Sequence, residues 1–108
     1  MSRSEVFENV SRKRLAGMKA IMRRRIASYA RNNGYEIQTW IVPEGVESVW
    51  HITLKNRSGV KPKLDFMARV SHDLKNKRLT IELIRMPFFI TRSSALAQVQ
   101  SVYKASRP

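Results

Sequence analysis

The chain contains no cysteine in 108 residues, which excludes a disulfide framework, thiolate zinc sites and cysteine nucleophiles. Acid is scarce as well: 8 Asp and Glu face 21 Lys and Arg, a formal net charge of +13. A folded body so unbalanced repels itself unless a polyanion lies against it. No apolar run approaches the ~18–20 residues of a membrane span. The opening Met1-Ser2-Arg3-Ser4-Glu5 has no apolar stretch after it, so it does not read as a secretory signal. Glycine and proline number 4 each and nowhere form a linker, so nothing divides the chain. Catalytic signatures are missing too: no P-loop, G-x-G-x-x-G, H-E-x-x-H or G-x-S-x-G occurs. His51 and His72 have no carboxylate at metal-ligand spacing, so no cofactor and no metal are expected. The hydrophobic fraction of 43% suffices for one core. The expectation is one basic domain over residues 1–108, cytoplasmic or nucleoid-associated, not secreted and without a membrane partner.

Residues 1–34 read as a basic amphipathic helix. Ser2 and Glu5 fit a capping box, and Leu15, Met18, Met22, Ile26 and Tyr29 recur in steps of three and four. Asn32-Asn33-Gly34 supplies the stop. Ser11 or Asn9 could cap a second start, and Arg12–Asn32 is the firmest stretch. After Gly34 the period changes to two. Runs at Tyr35–Val42, Val49–Lys55, Leu64–Val70 and Arg78–Met86 alternate or are rich in β-branched and aromatic residues. Trp50, Ile52 and Leu54 share one face, and so do Leu64, Phe66, Ala68 and Val70. In the first run the alternation leaves open whether Trp40 or Ile37 faces inward. Short polar connections suit hairpins, so residues 35–86 should form an antiparallel sheet with one covered face. Residues 87–108 read as an apolar turn, Phe88-Phe89-Ile90, and a short helix, Ala95–Lys104, capped by Ser93 or Ser94.

The fold class expected is therefore α+β in two layers. A four-stranded antiparallel meander carries a long N-terminal and a short C-terminal helix on one face, in the order α-β-β-β-β-α. A helix of ~30 residues would be ~45 Å long and would overhang such a sheet. That overhang, or the Phe88–Ile90 patch, would suit a homodimer.

The first helix carries the functional signal. Between Glu8 and Glu36 there is no acid, yet six arginines and two lysines occur. Arg12, Lys19 and Arg23 form one row beside the apolar stripe, and Lys13, Arg24 and Arg31 form a row opposite it. Arg14 and Arg25 flank the stripe on its other edge. Solvated helices normally intersperse Glu with Lys to gain i,i+4 pairs, and this one forgoes them all. Residues 35–108 hold 12 basic and 6 acidic side chains and cannot neutralise it. Arginine suits phosphate because its planar fork reaches two oxygens at once. Two basic loops extend the pattern, Arg57, Lys61 and Lys63 in one and Lys75, Lys77 and Arg78 in the other.

The implied activity is non-catalytic binding of nucleic acid, DNA or RNA. The phosphate-contacting set is Arg12, Lys13, Lys19, Arg23, Arg24, Arg25, Arg31 and the two loops. The alternative is a small basic regulator, inhibitor or assembly subunit docking on an acidic protein surface or ribonucleoprotein complex. Trp40 and His51 would stack on unpaired bases if both lay on the open face. A metal-dependent nuclease would need Glu8, Asp65 and Glu82 to converge. Asp65 and Glu82 are instead expected to pair with neighbouring cations.

Overall fold

A computed structural model describes residues 4–87 and 89–108. The elements are β1 (Ser4–Phe7), α1 (Arg12–Asn32), β2 (Tyr35–Ile41), β3 (Glu47–Asn56), β4 (Leu64–Asp73), β5 (Arg78–Arg85) and α2 (Arg92–Ala105). The strands form one antiparallel sheet in the order β1-β5-β4-β3-β2. Both helices pack on the same face, since Leu15 and Met18 of α1 and Val102 of α2 share a cluster with Trp50, Val70 and Ile81. The α+β class thus holds, but the sheet has five strands where the sequence predicts four.

The extra strand is β1, whose residues the helical pattern had absorbed. Phe7 pairs with Leu79 and Glu5 with Ile81, so Phe7 points into the core. The chain then turns at Asn9, whose φ of +59° is incompatible with a continuing right-handed helix. Val10 follows fully buried, its N–H bonded to the Lys77 carbonyl and its carbonyl 2.7 Å from Nε2 of the buried His72. Ser11 then caps α1 by accepting from the Arg14 N–H. Of the capping box expected further upstream, Ser2 lies outside the described residues and Glu5 sits in β1. At 21 residues α1 is roughly 31 Å long, and the overhang expected of a longer helix does not arise. Gly34, with φ +77°, completes the stop. Thr91, not Ser93 or Ser94, caps α2, its hydroxyl accepting from the Ser94 N–H.

A β-bulge settles the ambiguity of the first strand run. Pairing shifts between Ile37 and Thr39, so that Ile37 lies opposite Leu54 and Trp40 opposite Ile52. Gln38 absorbs the extra step, and both Ile37 and Trp40 face the helices. A second bulge in β5, between the Met67↔Arg85 and Ala68↔Leu83 pairs, turns Arg85 away from the core face that Leu83 occupies.

The helices are clamped at one end by a buried arginine. Arg14 is 7% exposed and meets no carboxylate among the described residues. Its Nε donates to Ser106 Oγ (2.9 Å), Nη2 to the Tyr103 carbonyl (3.0 Å) and Nη1 to the Asn9 carbonyl (3.3 Å). The guanidinium also lies 4.0 Å from the Tyr103 ring centroid. This is the C-terminus of α2, where unpaired carbonyls and the negative end of the helix dipole compensate a cation. From this clamp the helices diverge, and two core clusters form on either side of the gap. One is built on Val10, Met18, Trp50 and Leu79, the other on Ala30, Tyr35, Leu54 and Leu64.

Candidate nucleic-acid interface

The eight cations of α1 point in three directions. Lys13, Arg24 and Arg31 lie opposite the buried stripe of Leu15, Met18 and Ala30, and all three are exposed. None forms a hydrogen bond or ion pair among the described residues. By helical rise they are spaced roughly 16 and 10 Å apart, an extended row rather than a pocket for a small anion.

The second row leans toward β2. Arg12 is exposed, while Arg23 stacks its guanidinium 4.8 Å from the Trp40 ring centroid. Lys19, of the expected phosphate-contacting set, is engaged within the fold. Its Nζ donates to the carbonyl of Val42 at 3.2 Å and of Pro43 at 3.5 Å, and lies 5.6 Å from the Trp50 ring centroid. Burial lowers its pKa below the usual lysine value, and the charge of Glu44 offsets this only in part. Lys19 therefore fastens α1 to the β2–β3 connection. The third direction is toward α2: Arg14 is the clamp, and Arg25 donates from Nη1 to Ser101 Oγ at 2.8 Å.

The basic loops sit at opposite ends of β4. Residues 57–63 adjoin the C-terminus of α1, since the Arg57 N–H and Asn56 Nδ2 both donate to the Gly34 carbonyl. Buried Asn56 shapes that loop by accepting at Oδ1 from Ser58 Oγ and the Val60 N–H. Arg57 donates to the Tyr35 carbonyl at 3.4 Å, and Lys61 and Lys63 are exposed. The other loop adjoins the N-terminus of α1 through Lys77 and Val10. Its Lys75 and Lys77 are exposed, but Arg78 is paired with Glu8 at 2.9 Å. The two basic loops thus sit at opposite ends of α1, while Arg14, Lys19, Arg25, Arg57 and Arg78 make bonds within the fold.

Six of the eight acids bond to side chains outside α1. Asp65 binds His51 at 2.8 Å and Arg85 at 3.0 Å, and Glu82 binds Arg69 at 2.8 Å, all on the uncovered sheet face. Burial raises the Asp65 pKa, but hydrogen bonds from His51 and Arg85 and their charges outweigh it, holding the carboxyl below its usual value. Asp73 is likewise held low, first by the Asn76 side chain and then by the Asn76 N–H. Glu5 accepts from Gln100 and Glu47 from Ser71. Glu8, Asp65 and Glu82 do not converge, and among the described residues no group of three His, Asp or Glu could hold a metal ion. Trp40 and His51 lie on opposite faces of the sheet, so the stacking platform that would use both does not form.

The sequence did not reveal a cleft of about 510 Å³ between the diverging helices. Its floor is Ile52, Leu54, Phe66 and Ala68, its walls include Met22, Ile26 and Ala95, and Arg25 and Arg85 are its charged residues. The warning was Tyr29, a member of the apolar stripe that is nonetheless exposed and lines the cleft. In the apolar turn, Phe88 lies outside the described residues, Phe89 is exposed and Ile90 lines the cleft. No helix among the described residues is long and apolar enough to cross a membrane. Comparison with protein-family models, curated proteins and solved structures gives no match.

Proposed function

We propose that the protein binds nucleic acid without catalysing its cleavage, contacting the phosphate backbone through the outer face of α1 and the loops at either end of the sheet. One observation carries this reading: among the described residues Lys13, Arg24 and Arg31 form an exposed row with no carboxylate partner, while six of the eight acids bond to other side chains. Arg12, Lys61, Lys63, Lys75 and Lys77 extend the row at both ends. Arg23 and Arg57 contribute charge from sites already braced against Trp40 and Tyr35. A surface of this kind reads charge and spacing, not base edges, so DNA and RNA are both within its range. The cell compartment that fits is the cytoplasm or the nucleoid.

The test is direct binding to matched duplex DNA, single-stranded DNA and structured RNA, alongside affinity capture from lysate with and without nuclease. Micromolar or tighter binding to at least one of the three, with captured partners released by nuclease, is the expected result. No binding to any of them, together with a protein partner retained after digestion, would replace this reading with docking on an acidic protein surface.

A further inference from the structure

The cleft between α1 and α2 is distinct from the outer row and lies on another side of α1. Among the residues lining it there is no Asp or Glu. Its two charged residues are Arg85, already paired with Asp65 at 3.0 Å, and Arg25, whose only hydrogen bond among the described residues is to the Ser101 hydroxyl. The rest is almost wholly apolar, with Ser94 and Gln98 as polar groups on α2.

We infer that this cleft binds a small amphipathic anion: a single aliphatic chain on the sheet floor, with its carboxylate held by Arg25. Size fits this occupant, because the volume falls in the range of small-molecule sites, about 300–1,000 Å³. Polarity argues the same way. Water would find few partners on Leu54, Phe66 and Met22, whereas methylene groups would cover them. Charge decides the head group, because the cleft is lined by no acid and Arg25 stands at it without a carboxylate partner, whereas Arg85 is already neutralised by Asp65. The site stands apart from nucleic-acid binding, since Lys13, Arg24 and Arg31 take no part in it.

The experiment is calorimetric titration of the full chain with hexanoate, octanoate, decanoate and dodecanoate and with the matching alcohols, each below its micelle concentration. Affinity should rise about fourfold per added methylene until the cleft is full. Each carboxylate should bind about tenfold more tightly than its alcohol. Arg25→Gln should remove the preference for the acid while leaving alcohol binding in place. Ala95→Phe, which fills the space from α2, should abolish both, and Ala68→Leu does the same from the sheet if the α2 variant does not fold. Absence of binding along the whole series overturns the inference, and so does equal affinity of acids and alcohols for the unmodified chain. Uptake by phosphatidylglycerol vesicles without binding of any free acid overturns it as well, because the site would then be a membrane surface.

Discussion

Arginines occupy both layers of this molecule, and the layers treat them differently. On the sheet, Arg69 meets Glu82, Arg85 meets Asp65, and Arg78 meets Glu8 across from β1. On α1 no arginine meets a carboxylate among the described residues: Arg14 is satisfied by neutral acceptors, Arg25 by a hydroxyl, Arg23 by an indole, and Arg12, Arg24 and Arg31 by nothing. Cross-strand neighbours let a sheet pair opposite charges locally. A helix can do the same with residues three or four apart, and α1 has no acid to do it with. The difference lies in where the acids were placed, and it leaves one layer electrostatically closed and the other open.

The largest effect should come from the α1 arginine that serves folding. Arg14→Ala would leave the Tyr103 and Asn9 carbonyls and Ser106 without their donor and remove the stack on Tyr103. A loss on the order of 3 kcal/mol is expected, read as a fall in Tm of roughly 10–20 °C. Next comes the outer row. Lys13→Gln, Arg24→Gln and Arg31→Gln combined should leave Tm nearly unchanged, since surface substitutions usually stay within about 0.5 kcal/mol. The same triple variant should weaken nucleic-acid binding about 100-fold or more at 0.1 M salt, alike for all sequences, as measured by fluorescence anisotropy.

Smaller effects separate the closed layer from the open one. The depressed Asp65 carboxyl binds fewer protons folded than unfolded, so its stabilisation is present above about pH 4 and disappears as pH falls through its folded pKa. Asp65→Asn should therefore lower stability at neutral pH and flatten its decline below about pH 4, as followed by thermal melts across pH. Arg69→Gln should be smallest of all, costing at most about 1 kcal/mol because its pair with Glu82 is exposed, with binding nearly unchanged. A binding loss from Arg69→Gln comparable to that of the outer-row triple would erase the distinction between the layers.

Much of the fold could be read from periodicity. Arg12–Asn32 is a helix over its whole predicted span, and β4 and β5 begin at the residues where alternation starts. What periodicity missed were events shorter than a period. Four residues of β1 carry too little pattern to outweigh a helix beside them, and their pairing with β5 is a contact between distant segments. A bulge reverses the alternation after Gln38, so neither assignment of Trp40 and Ile37 to opposite faces was right. The candidate site shows a similar limit. The three rows on α1 follow from helical geometry, but the engagement of Lys19 with the Val42 and Pro43 carbonyls and of Arg14 with the end of α2 depends on chain folded far from α1 in sequence. Consecutive Arg23, Arg24 and Arg25 look like one basic cluster, and the structure sends them to Trp40, to solvent and to the cleft.

The central claim is that an uncompensated helix face meets phosphate. The log of the binding constant for duplex DNA, measured against the log of salt concentration, tests it most directly. Six phosphate contacts predict a slope near −5 at about 0.9 per contact, falling in magnitude by about 2.7 when Lys13, Arg24 and Arg31 are neutralised. A slope near zero, or one that the triple substitution does not change, would contradict it.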